Sequence, residues 1–211
     1  MFFNLTGLGH RPRVKNKGLM LILRQTETMK KKLYQFIFLQ LMGWKIAGTI
    51  APQVKKCVMI VIPHTSWHDF YLGLFTRGII GLDMHWVGKK ELFGFPFGAY
   101  FRWMGGAPLD RSGGLNKVDS IAAIFEKREV FRMAISPEGT RSKVSELKTG
   151  FYYIALKAKV PIIPVAFDYG KKKVRLGSPF HPTGHYQTDM ASLLPFFKDV
   201  TGKIPQLGFK V

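Results

Sequence analysis

His64 and Asp69, five positions apart, are the residues whose types and spacing best suit chemistry in this chain. They sit in His64-Thr65-Ser66-Trp67-His68-Asp69, directly after the apolar run Cys57-Val58-Met59-Ile60-Val61-Ile62-Pro63. The run is short, β-branched and closed by proline, so it reads as a buried strand that must turn at Pro63. His64 then lies just beyond a strand end. Ser66 is placed to cap a helix with Asp69 in its first turn, from where the carboxylate can reach back to an imidazole on the preceding loop. An imidazole oriented in this way, with an ordinary pKa of about 6.5, can take a proton from a hydroxyl as that oxygen attacks an acyl carbonyl. A second reading stays open on these residues alone: Asp69 as a helix-capping acid and His64 as a polar loop residue.

His64 and His68 also stand at a spacing found among metal ligands. Thr65, however, occupies the place where a zinc-protease pattern needs glutamate, and Cys57 belongs to the strand, so no metal is expected. His10, His85, His181 and His185 form no ligand cluster. Two further stretches each follow a predicted strand, where the loops of an α/β sheet gather around a ligand. One is Gly105-Gly106-Ala107-Pro108-Leu109-Asp110-Arg111; the other is Ser136-Pro137-Glu138-Gly139-Thr140-Arg141-Ser142. In the second, Gly139 lets the backbone approach a ligand and Arg141 offers phosphate a two-pronged donor, while Glu138 holds either the loop or an arginine. The plainer readings are a local Asp110–Arg111 ion pair and a turn with Thr140 as a helix cap.

These residues need a scaffold. Helices are predicted over Trp67–Ile80, Leu115–Lys127 and Thr149–Lys159, and strands at Cys57–Ile62, Met84–Val87, Ala107–Leu109, Phe131–Ile135, Ile162–Phe167 and Val174–Leu176. Strands alternating with helices imply an α/β fold with a largely parallel sheet flanked by helices. Lys89–Met104, with Gly94, Pro96 and Gly98 among six aromatic residues, reads as a broken helix or loop, either core or a surface for acyl chains. The tail from His181 is weakly patterned. Residues 1–51 form a basic N-terminal segment and 52–211 the catalytic domain. No cleaved leader is expected. Leu33–Gly48 is apolar nearly all round yet broken by Gln35, Gln40 and Lys45, short of the ~20 residues of a hydrocarbon crossing. It is read as an in-plane membrane helix with Trp44 at the interface, against the alternative of a core helix.

The net charge is +19 over 211 residues, gathered in clusters such as Lys30–Lys32 and Lys171–Lys173. Such a surface attracts polyanions: anionic lipid, phosphorylated substrates or nucleic acid. A 14% aromatic content favours lipid, and none of the familiar nucleic-acid motifs occurs, so a nucleic-acid domain is the rival reading and no nucleic-acid partner is expected. The single Cys57 cannot form an internal disulfide, a weak sign of a reducing compartment. There is no Gly-x-Ser-x-Gly elbow, Walker loop or Gly-rich dinucleotide fingerprint.

In order along the chain, His64-x4-Asp69, Leu109-Asp110-Arg111, Pro137-Glu138-Gly139-Thr140-Arg141-Ser142 and Val160-Pro161-Ile162-Ile163-Pro164-Val165 resemble the four sequence blocks of the bacterial glycerolipid acyltransferases. The resemblance covers roughly residues 50–180, and within the family it lies nearest the 1-acylglycerol-3-phosphate acyltransferases. It implies that His64 and Asp69 are the catalytic pair, and that Arg111, Glu138, Gly139, Thr140 and Arg141 bind the acceptor phosphate. It also implies an acyl-CoA or acyl-carrier-protein donor with no other cofactor and lysophosphatidic acid as acceptor; the in-plane reading of Leu33–Gly48 and the lone Cys57 together give a monotopic seat on the cytoplasmic face of the cell membrane as the expected location. Pro63 stands where the family usually has asparagine and Ser136 where phenylalanine is common. His68 is an alternative imidazole for Asp69.

Overall fold

The computed structural model describes residues 17–109 and 116–211. Seven strands form one sheet: β1 (Lys45–Ala47), β2 (Lys56–Val61), β3 (His85–Lys89), β4 (Gly106–Leu109), β5 (Phe131–Ile135), β6 (Ile162–Asp168) and β7 (Lys173–Leu176). Their order is β1-β7-β6-β2-β5-β3-β4. Five strands run parallel, and the β6–β7 hairpin turns β7, with β1 parallel to it, the other way. The helices are α1 (Lys17–Gln35), α2 (His68–Ile80), α3 (Gly98–Trp103), α4 (Asn116–Lys127), α5 (Gly150–Ala158) and α6 (Tyr186–Leu193).

Both faces of the sheet are covered, which is why β2 is apolar at consecutive positions. Cys57 and Met59 face a core shared with Leu72 and Ile79 of α2, while Val58 and Ile60 face a second core with Phe125 of α4, Phe151 and Ile154 of α5, and Leu193 of α6. Each such buried aliphatic or aromatic side chain contributes about 1.5–3 kcal/mol. Burial in the first core pushes the Cys57 thiol up to about 12, so it stays protonated and inert.

Two departures from the sequence reading concern the chain before Pro52. The helix does not run from Leu33 to Gly48: α1 ends at Gln35, a π-helical turn continues it over Phe36–Leu41, and Lys45–Ala47 pairs with β7 as an edge strand. Trp44, expected at a membrane interface, is buried, packed edge-on against Tyr169 at 4.9 Å and beside the fully buried Phe38. The Tyr34 ring of α1 packs against Gly78 of α2, where a Cβ would come within 2.0 Å of the ring. Residues 33–44 therefore carry two faces, one docked on the domain and one bearing exposed Leu33, Phe36, Leu39 and Leu41. The third departure is the tail, which forms α6 and then wraps back toward the loop after β2.

Candidate active site

The parallel strands β2 and β5 are neighbours, so the loops that follow them emerge side by side at one edge of the sheet. From β2 the chain passes into α2 on one face, whereas from β5 it passes into α5 on the other. Diverging connections from adjacent strands open a crevice at their carboxyl ends, which is where α/β sheets bind ligands. His64 and Glu138 stand at that divergence.

The chain leaves β2 through a cis Ile62–Pro63 bond and reaches His64. The imidazole Nδ1 lies 3.0 Å from Asp69 Oδ2, with the His64 side chain 30% exposed and that of Asp69 1% exposed. Because a carboxylate only accepts, the proton must sit on Nδ1, leaving Nε2 as the free base. Nε2 has no protein partner among the described residues. Asp69, in the first turn of α2, also accepts from the Ser66 N–H through Oδ2 at 3.0 Å, although the residue that precedes the helix is Trp67 rather than Ser66. Tying down the loop before α2 and orienting the imidazole are thus two uses of one carboxylate. His68 does not compete for it, since its Nδ1 is 2.9 Å from Ser66 Oγ and its ring stacks on Trp67.

A third donor to Asp69 comes from a residue that the sequence pattern did not single out. Tyr169, at the carboxyl end of β6, donates its hydroxyl to Asp69 Oδ1 at 2.7 Å. Burial, with the neighbouring carboxylate, pushes the phenol well above its ordinary range, so it remains a donor at any working pH. The signal available in the sequence was positional: the polar pair Asp168-Tyr169 closes an apolar strand, where the ligand-binding groups of an α/β sheet gather.

Glu138 is buried, and it grips backbone rather than an arginine. Its Oε2 accepts from the His64 N–H at 2.6 Å and its Oε1 from the Phe209 N–H at 3.1 Å. Burial raises its pKa, and the two N–H donors act against that rise. The tail adds a second tie, with the Ile204 N–H donating to Thr65 Oγ1 at 3.1 Å, and Gly202 packs so closely on Thr65 that a Cβ would meet its hydroxyl at 2.8 Å. His64 is therefore fixed through its side chain by Asp69 and through its backbone by Glu138.

Gly139 has φ +65°, and a Cβ there would lie 2.9 Å from Lys148 Nζ. Lys148 is thereby laid across the Glu138–Gly139 turn, a cation beside the loop that spacing did not reveal. Thr140 is half-buried, its hydroxyl accepting from the Ser142 N–H at 3.3 Å rather than starting a helix. Arg141 is exposed and has no carboxylate partner among the described residues. The structure thus brings His64 against Asp69 at ion-pair distance and hydrogen-bonds the His64 backbone to Glu138; it leaves Arg141 at the loop surface, while Arg111 lies outside the described residues. No group of three or more metal-ligating side chains occurs among the described residues.

The arrangement holds a partly exposed imidazole with one nitrogen anchored and one free, suited to removing a proton from a bound alcohol. Comparison with known proteins agrees with that chemistry. An acyltransferase family model matches residues 43–168. The chain is 31% identical over 149 residues to a 1-acyl-sn-glycerol-3-phosphate acyltransferase of Bacillus subtilis (strain 168), covering 64% of this chain and 70% of that protein. It is 37% identical over 97 residues to the protein of the same name from Escherichia coli (strain K12), covering 43% of this chain and 39% of the relative. The fold is similar to the crystal structure of the 1-acyl-sn-glycerophosphate (LPA) acyltransferase PlsC from Thermotoga maritima, with a TM-score of 0.54 and 19% identity over 90% of this chain and 86% of that one. With the family model spanning more than half of its length and the His–Asp pair in place, the chain belongs to the acyltransferase family.

Proposed function

We propose that the protein moves a fatty acyl group from a thioester, acyl-CoA or acyl-carrier protein, to the free hydroxyl of 1-acylglycerol-3-phosphate, giving phosphatidic acid. The observation that carries this reading is the 3.0 Å contact between His64 Nδ1 and the buried Asp69, which leaves Nε2 free. His64 Nε2 takes the proton of the acceptor hydroxyl as its oxygen attacks the thioester carbonyl. Asp69 stabilises the imidazolium that forms. When the tetrahedral adduct collapses, the C–S bond breaks and the imidazolium returns the proton to the departing sulfur, giving ester and thiol. No acyl-enzyme is required.

The names of the relatives support the acceptor, as does the cationic loop after β5, where Arg141 and Lys148 are free to meet a phosphate. Arg141→Ala is expected to raise the KM for 1-acylglycerol-3-phosphate about tenfold or more, the worth of a charge-assisted hydrogen bond, with little change in kcat. The comparison acceptor is a monoacylglycerol, which lacks phosphate. An equal change with both acceptors, or none with either, would remove Arg141 from the phosphate site.

A seat on the membrane is supported by two exposed apolar surfaces. No described helix is long and apolar enough to cross a bilayer. Met29, Leu33 and Phe36 form one stripe at helical spacing, all more than half exposed. The other is a ladder of rings, Trp67–Tyr71–Phe70–Phe101–Tyr100–Trp103, each step 5.3–6.4 Å between centroids, running from the start of α2 to α3. At its far end Trp103 is 78% exposed, and Phe95, in the turn before α3, is fully exposed, in keeping with aromatic residues at a lipid–water boundary. The protein should therefore stay with membranes in high salt and leave them in detergent. Release by salt alone would point to electrostatic attachment and against apolar seating.

A further inference from the structure

A groove of about 500 Å³ opens between the end of β1, the β6–β7 hairpin and the segment after α6. It is lined by Lys171, Lys173, Arg175 and Lys198, with Asp199 the one acid among the lining residues. Lys173 and Arg175 alternate along β7 and share a face, while Val174, of opposite parity, is buried in the core. The Arg175 guanidinium carbon lies 4.7 Å from the centre of the Phe196 ring, a cation–π contact beside the groove. None of the four cations has a carboxylate within ion-pair distance among the described residues. With four cations to the single carboxylate of Asp199, the groove carries a net positive charge that an anion would balance.

Its position selects among anions. In the sheet β7 is separated from β2 by β6 alone, which sets the groove about 10 Å across the sheet from the strand that leads to His64. Lys171 follows only two residues after Tyr169, whose hydroxyl holds Asp69. In a lysophosphatidic acid only a few bonds separate phosphate from hydroxyl, too few to span that interval. In an acyl-CoA the pantetheine arm separates the nucleotide phosphates from the thioester, and the groove has the volume of a small-molecule site. We propose that this groove holds the phosphates of a nucleotide-bearing acyl thioester, with Lys173 and Arg175 as its principal donors. The proposal rests on the acyl-transfer reading above for the identity of the thioester.

The test uses the full chain in detergent micelles, titrated calorimetrically with adenosine 3′,5′-bisphosphate, together with steady-state kinetics. The parent, His64→Ala and a control with Lys30→Ala and Lys31→Ala should bind alike. The Lys173→Ala, Arg175→Ala double variant should bind about tenfold or more weakly, with a matching rise in the KM for acyl-CoA and no change in kcat or acceptor KM. If the parent fails to bind the bisphosphate, or the double variant binds it as well as the parent, the proposal is overturned. It is also overturned if the double variant loses affinity only for phosphatidylglycerol vesicles, which would make the groove a lipid-headgroup surface. If the parent transfers no acyl group yet binds the bisphosphate through Lys173 and Arg175, the acyl-transfer reading falls and the nucleotide-phosphate site stands.

Discussion

Replacing His64 by alanine is expected to lower turnover by about 10²–10⁴-fold, the usual worth of a general base, while the protein still folds and binds lipid. The fold should survive because His64 is partly exposed and its ring is tied to the protein only through Asp69. Once the ring is gone, Asp69 keeps two donors, the Ser66 N–H and the Tyr169 hydroxyl, and is not left as an unpaired buried charge. The backbone N–H of residue 64 keeps its bond to Glu138, so the loop stays in place. Steady-state kcat measured beside vesicle co-sedimentation separates the two effects. Loss of sedimentation in parallel with activity would mean that His64 serves the structure rather than the reaction.

The second large effect is at Asp69. Three donors converge on its two oxygens: His64 Nδ1–H, the Ser66 N–H and the Tyr169 O–H. Asparagine supplies one accepting oxygen and one NH₂ group, so at least one of these donors must face another donor. The imidazole is the partner freest to turn, since Ser66 is backbone and Tyr169 is held between Trp44 and Lys203. Asp69→Asn should therefore lose about 10²–10⁴-fold in kcat with little change in KM, because the imidazole loses its orientation and its counter-charge. Tyr169→Phe removes one donor and leaves the His64 contact intact, so its expected loss is about tenfold. Residues that act as one unit are not additive, and the His64→Ala, Asp69→Asn pair should be scarcely slower than His64→Ala alone. Multiplying losses would indicate that Asp69 acts on the reaction by a separate route.

How much of this was legible in the sequence depended on whether side chains or backbone carried the contact. Cys57–Ile62 showed itself as a strand through its β-branched apolar run, and the short loop to Asp69 placed acid and imidazole within reach of each other. The segments flanking Phe131–Ile135 and Ile162–Phe167 were recognisable in the same way, and with them the parallel sheet. What the tail does was hidden, because Ile204 and Phe209 act through backbone N–H groups that any residue there would offer. Glu138 was legible as holding either the loop or an arginine, and the choice between them was hidden because its partners, 71 and 74 positions away, are also backbone groups. Tyr169 is 100 residues from Asp69, and only the strand order brings them together. β1 is three residues long, too short for alternation to stand out, and its neighbour Trp44 has a composition suited equally to a membrane interface and to the core in which it lies.

The most direct measurement offers the parent and His64→Ala a panel of lyso-lipids, 1-acylglycerol-3-phosphate among them, with labelled acyl-CoA and labelled acyl-carrier protein in separate assays. The expected result is labelled phosphatidic acid made by the parent with at least one donor and reduced about 10²–10⁴-fold in the variant. Equal labelling by parent and variant, or no labelled phosphatidic acid from the parent with either donor, would contradict the assignment of His64 as the base that readies a lysophosphatidic acid hydroxyl for acyl transfer.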